Sequence, residues 1–163
     1  TEMAEAWEMA LEIDDAPSIL SLTRQGVAPQ RTEYIEDNLT ARGAYILSDC
    51  DGKPDVTLFS TGSEVEIAAA AYDDLTAQGK KVRLVSCPCL DLFWEQDSDY
   101  IQSLICNESK KIAIEAAVRQ PWDRIIGAHG TFIGMNGFGD SAPASDLYAH
   151  FGITKEAIIN AAK

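Results

Sequence analysis

The chain has 163 residues, enough for one ordinary domain with a real core, and 46% of them are apolar, as in a soluble globular protein. Its net charge of −13 argues against a nucleic-acid backbone or an anionic membrane as the main partner. No apolar run approaches the roughly 20 residues of a membrane-spanning helix, and the acidic start TEMAEAWEMALEIDD, free of basic residues, is unlike a signal peptide.

Residues 2–13 have helical spacing, with Met3, Trp7, Ala10 and Leu11 able to share one face. Asp14-Asp15-Ala16-Pro17 ends that helix, because the residue before a proline avoids the helical region. The run SILSL at 18–22 reads as a short buried strand leading to Arg24-Gln25. Residues 26–42 hold Gly26, Pro29 and many charges, and read as a linker. GAYILSD and PDVTLFS flank Asp51-Gly52, which predicts an antiparallel hairpin of strands 43–48 and 55–60. T-G-S-E then opens a helix with Ser63 as N-cap, glutamates in its first turn and Gly79 as its stop.

KVRLVS (81–86) is the next strand, closed by Pro88, and LDLFWEQ and DSDYIQSLI are short helices joined at Gln96. KKIAIEAA supplies a strand at 111–115, PWDRIIGA opens a helix on proline, and TFIGM is a strand at 131–135. A glycine-rich loop follows, then helix 143–151 and a last helix from Thr154. Strands alternating with helices predict an α/β layer fold with a mostly parallel sheet, to which the hairpin adds one antiparallel strand.

The chemistry-bearing residues are sparse. Cys50, Cys87, Cys89 and Cys106 form neither a disulfide framework nor a CxxC pair, so they are expected as reduced, mostly buried thiols of a cytoplasmic protein. The T-G-S-E turn could hold an anion at a helix N-terminus, but Glu64 and Glu66 would repel one, which favours a purely structural turn. GFGDSAPA does not match GxGxxG and reads as a tight loop before a helix with Pro143 in its first turn. His129 and His150 have no recognisable nucleophile beside them, and Glu115, at a strand end, reads as a hydrogen-bond acceptor. Arg24 has two readings: an ion pair with a nearby acid, or a two-pronged grip on a phosphate or carboxylate. The residues assemble no complete catalytic constellation.

LSLTRQ at 20–25, STGSEVEIA at 60–68, VRLVSCPCLDLFWEQ at 82–96 and FGDSAPASDLYAHFGIT at 138–154 together resemble the end of transketolase, in order and spacing over nearly the whole chain. The resemblance implies that residues 1–25 are the last helix and strand of a pyrimidine-binding domain, 26–42 a linker, and 43–163 a complete C-terminal domain. It also implies a three-layer α/β fold with a mostly parallel five-stranded sheet and one antiparallel strand. The parent enzyme of the pentose phosphate pathway would move a two-carbon ketol unit from a ketose phosphate to an aldose phosphate, using thiamine diphosphate and Mg or Ca. That parent would be a cytoplasmic homodimer.

In that family an Leu-Ser-Arg-Gln motif supplies the arginine that binds the substrate phosphate. Here Thr23 replaces the serine, and the role falls on Arg24. The cofactor, metal and catalytic residues of the family lie upstream. No catalytic, cofactor-binding or metal-binding residue is therefore assigned in this chain, and the isolated chain is expected to be inactive. A dihydroxyacetone synthase, one subunit of a split enzyme, or a free-standing interaction module would share the same architecture.

Overall fold

The computed structural model describes residues 1–163. It opens with α1 (Glu2–Glu12), followed by an irregular stretch that ends in a short 3-10 turn, Leu39–Arg42. Strands β1 (Tyr45–Ser48), β2 (Val56–Ser60), β3 (Val82–Ser86), β4 (Lys110–Ile114) and β5 (Thr131–Ile133) alternate with α2 (Glu64–Ala77), α3 (Leu90–Trp94), α4 (Ser98–Ile105) and α5 (Asp123–Ile126). Helices α6 (Ala144–Phe151) and α7 (Lys155–Ala161) complete the chain.

The strands form one five-stranded sheet in the order β1-β3-β2-β4-β5. All neighbours are parallel except β1, which runs antiparallel to β3 with Tyr45 opposite Ser86. The expected mixed, mostly parallel sheet is therefore present, but the expected hairpin is not. β1 and β2 are consecutive in the chain, yet β3 lies between them. The central position goes to β2 because it is apolar on both faces and buried throughout, whereas β1 is only partly covered and suits an edge.

The period-two alternation of the strands makes the three layers. Val56 and Leu58 of β2, Val82 and Leu84 of β3, and Ile112 and Ile114 of β4 face α2 and α7, where Leu75 and Ile158 complete one core. Phe59, Val85 and Ala113 point the other way, onto Phe93, Leu104, Trp122 and Ile125 from α3, α4, α5 and the turn before α5. Helix ends follow local chemistry. Asp97 and Thr154 cap α4 and α7 by accepting backbone N–H groups, and Gly79, at φ 84°, ends α2. Ser63 precedes α2 but does not cap it; its hydroxyl turns to the Glu64 carboxylate at 2.8 Å.

Residues 18–22 form no strand. Ile19 is 92% exposed and no strand runs beside this segment. A strand exists only when a neighbour takes its backbone hydrogen bonds, and neither edge of this sheet accepts it. α1 is present but is not held by Trp7, which is 50% exposed, as are its stripe-mates Met3 (57%) and Leu11 (79%). Polar contacts hold it instead. Glu5 accepts the Thr40 N–H (3.1 Å), the Thr40 hydroxyl (2.7 Å) and Arg31 Nη2 (2.5 Å), and Glu2 accepts the Tyr45 and Ser86 hydroxyls. Of the four cysteines, all free, only Cys87 is buried; the others are half-buried, which corrects the expectation of mostly buried thiols.

Candidate functional site

Chain order steps from β2 outward to β3 on one side and from β4 outward to β5 on the other. The winding direction therefore reverses between the carboxyl ends of β2 and β4, the place where open α/β sheets form their ligand crevice. A cavity of about 300 Å³ opens there, lined in part by Gln25, Glu64, Met135, Asp140, Tyr148 and Phe151. The Ser60 hydroxyl, at the end of β2, donates to the Ile114 carbonyl at the end of β4 (3.1 Å) and ties the two strand ends together.

The floor of the crevice is built by Glu64, the first residue of α2, which is only 6% exposed. Its Oε2 accepts the Ala116 N–H beyond β4 (3.2 Å), and its Oε1 accepts the Tyr148 hydroxyl of α6 (2.5 Å) and the Ser63 hydroxyl (2.8 Å). The positive end of the α2 dipole adds to this set of donors. Burial and the Glu64 carboxylate push the Tyr148 phenol up to about 12, so it keeps its proton at neutral pH and donates a hydrogen bond to Glu64. Glu115 accepts the Trp122 indole N–H at 2.7 Å, the acceptor role expected of it. Burial raises its carboxyl above the usual range, the nearby Glu64 charge adds to that rise, and the indole hydrogen bond opposes it.

The crevice does not fit a diphosphate with its metal. The anion position at the α2 N-terminus is filled by Glu64 of the chain itself, Asp140 adds a further acid, and no group of three or more His, Cys, Asp or Glu is placed to hold a metal ion. T-G-S-E is thus a structural turn, with Gly62 at φ 57°. His129 and His150 are exposed and stand apart from the crevice lining.

Arg24 is not a lining residue itself but precedes Gln25, which is. It is exposed and takes part in none of the ion pairs. The residues that follow it are fastened to the domain. Thr23 Oγ1 donates to the Gln25 carbonyl (3.0 Å), Gln25 Nε2 donates to the Tyr148 hydroxyl (3.3 Å), and the Ala28 N–H donates to Glu66 Oε2 (3.4 Å). Arg24 thus makes no ion pair within this chain, and it is exposed. Reading the sequence picked out Arg24 and Glu64 but missed Tyr148, whose position 84 residues beyond Glu64 gives no local signal.

Comparison with known proteins places this geometry. Residues 43–154 match the family described as the transketolase-like TK C-terminal domain. Transketolase of Cereibacter sphaeroides is 49% identical over 162 residues, covering 99% of this chain and 24% of that protein. The structure of transketolase from Leishmania mexicana superposes with a TM-score of 0.88 at 35% identity, over 98% of this chain and 23% of the other. Transketolase from Pichia stipitis in complex with sedoheptulose-7-phosphate superposes with a TM-score of 0.86 at 30% identity, over 99% of this chain and 23% of the other. The chain spans about a quarter of the length of these relatives.

Proposed function

The chain belongs to the transketolase-like C-terminal domain family, and on that premise we propose that it is the carboxyl-terminal part of a longer enzyme that moves a two-carbon ketol unit from a ketose phosphate to an aldose phosphate. In this reading residues 1–25 belong to the preceding domain, 26–42 are a linker and 43–163 are the C-terminal domain, with Arg24 binding the substrate phosphate. Thiamine diphosphate and its divalent metal are held elsewhere in the longer polypeptide, since the Glu64 carboxylate occupies the anion position at the α2 N-terminus of this crevice. The isolated chain is accordingly inactive, and the parent is a homodimer. A cytoplasmic location is supported by the four free cysteines, which suit a reducing compartment.

The observation that carries this reading is the state of Arg24: exposed, in no ion pair of this chain, and next to Gln25, which lines the crevice and bonds to Tyr148. One similar protein was solved with sedoheptulose-7-phosphate, a sugar phosphate of the class proposed here. A guanidinium gives two parallel, charge-assisted hydrogen bonds to a phosphate, worth about 1.5–3 kcal/mol. Binding energy at this distal group orients the sugar chain and so contributes to rate as well as affinity.

The test is Arg24→Ala in the full-length protein, with kcat/KM measured for a phosphorylated donor and its unphosphorylated counterpart. Preference for the phosphorylated sugar should fall roughly ten- to a hundredfold, since each 1.36 kcal/mol is tenfold. Arg24→Lys should recover part of it, because an ammonium cannot fork. Equal losses on both sugars would make Arg24 structural.

A further inference from the structure

We propose that Tyr148 is a positioning residue for Arg24, acting through Gln25, so that the C-terminal domain sets where the phosphate-binding guanidinium stands. The inference rests on the phosphate-binding reading of Arg24 given above. Within this chain residues 13–38 contain no helix or strand, so the hydrogen bonds that tie the segment around Arg24 to the C-terminal domain are side-chain ones. Its attachments to the body of the domain are Gln25 to Tyr148 and Ala28 to Glu66, one on α6 and one on α2. Glu66 sits on α2, which packs against β2 and β3, and Tyr148 of α6 packs against the same apolar core.

The polarity of the Gln25 contact is fixed by Glu64 and Ser63. A phenol has one proton; the Tyr148 hydroxyl reaches Glu64 Oε1 at 2.5 Å and Ser63 Oγ at 2.9 Å, and a proton given to either leaves the oxygen lone pairs as acceptors for the Gln25 amide. Glu64 is in turn held by the Ala116 N–H at the end of β4. A chain of hydrogen bonds thus runs from the sheet, through Glu64, Tyr148 and Gln25, to the residue next to Arg24. Fixing the turn in advance removes part of the ordering cost that a free arginine incurs when it closes on a phosphate. Tyr148 touches no substrate in this scheme and acts on affinity only through the placement of Arg24.

The experiment is a double-mutant cycle in the full-length protein, combining Tyr148→Phe with Arg24→Ala and reading KM and kcat on a phosphorylated and an unphosphorylated donor. Tyr148→Phe should raise KM for the phosphorylated donor by about two- to tenfold, the range of one neutral hydrogen bond, with a smaller change in kcat. Preference for the phosphorylated donor should fall with it. In the Arg24→Ala background Tyr148→Phe should lower that preference no further. Gln25→Ala, at an exposed position where folding is not at stake, should reproduce the effect of Tyr148→Phe and keeps the test intact if that variant folds poorly. If Arg24→Ala lowers the preference while Tyr148→Phe and Gln25→Ala do not, or lower it additively with Arg24→Ala, the positioning role is wrong and the phosphate role stands. If Arg24→Ala leaves the preference unchanged, the phosphate role fails and the positioning role falls with it.

Discussion

Tyr148 of α6 donates its hydroxyl to Glu64 of α2 at 2.5 Å, and Glu64 passes the connection to Ala116 beyond β4. Two residues 84 positions apart thereby close the crevice between the ends of β2 and β4. Removing the carboxylate strands the donors that converge on it. Glu64→Ala should destabilise the chain by about 1–2 kcal/mol, and Glu64→Gln by less, because the amide oxygen retains one acceptor. Urea unfolding followed by circular dichroism measures both; a Glu64→Ala value within experimental error of the unmodified chain would show that the network does not hold the crevice.

Glu5 provides a pH-dependent clasp for α1. Its side chain is 11% exposed, and burial alone would raise its carboxyl, but the hydrogen bonds from Thr40 and Arg31 and the Arg31 charge outweigh that and hold it below the usual range. A depressed folded value means that the stabilisation is complete above the ordinary glutamate value of about 4.3 and is lost as pH falls below it. Hydrogen exchange on residues 2–12 should therefore accelerate on acidification through that window while the sheet amides stay protected. Glu5→Gln should show the fast exchange already at pH 7. Protection of α1 that stays constant down to pH 3 would remove Glu5 from this role.

Gly43 joins the 3-10 turn to β1 at φ 75°, and a Cβ added there would meet Phe93 N at 2.2 Å and Cys89 O at 2.3 Å. Both are backbone atoms and cannot rotate away. Gly43→Ala should cost more than about 2 kcal/mol, combining the left-handed backbone penalty with the collision. Thermal unfolding would read it as a clear drop in Tm; an unchanged Tm would mean that the β1–α3 junction opens freely.

Every residue of both cores lies at position 44 or beyond. Deleting residues 1–25 should leave a cooperatively folded domain, with loss only of polar contacts: those of α1 to Arg31, Thr40, Tyr45 and Ser86, and that of Gln25 to Tyr148. Circular dichroism and thermal melting of the truncated chain check this. A truncated chain without a cooperative transition would make the first 25 residues part of the same folding unit.

Strand positions after residue 43 were readable from the sequence, because β2, β3 and β4 are short apolar runs bounded by turn residues. The same rule failed at 18–22. SILSL has the residue types of a strand, but pairing is a property of a neighbour and not of the segment. The hairpin between 43–48 and 55–60 failed for a related reason. Asp51-Gly52 does lie in a bend, with Gly52 at φ 77°, but the antiparallel partner of β1 is β3, some 40 residues away.

The sequence by itself determined the α/β class, the sites of most helix ends, and the identity of Arg24 as an arginine worth watching, because these follow from local propensity, period and side-chain chemistry. Only the tertiary structure decided that Arg24 makes no ion pair within this chain, that the Glu64 carboxylate forms the floor of the crevice, and that Tyr148 reaches both Glu64 and Gln25. The physical reason is distance along the chain. Strand order and the hydrogen bonds of a buried carboxylate are settled by which segments lie side by side after the sheet has formed, and no local window of sequence contains both partners.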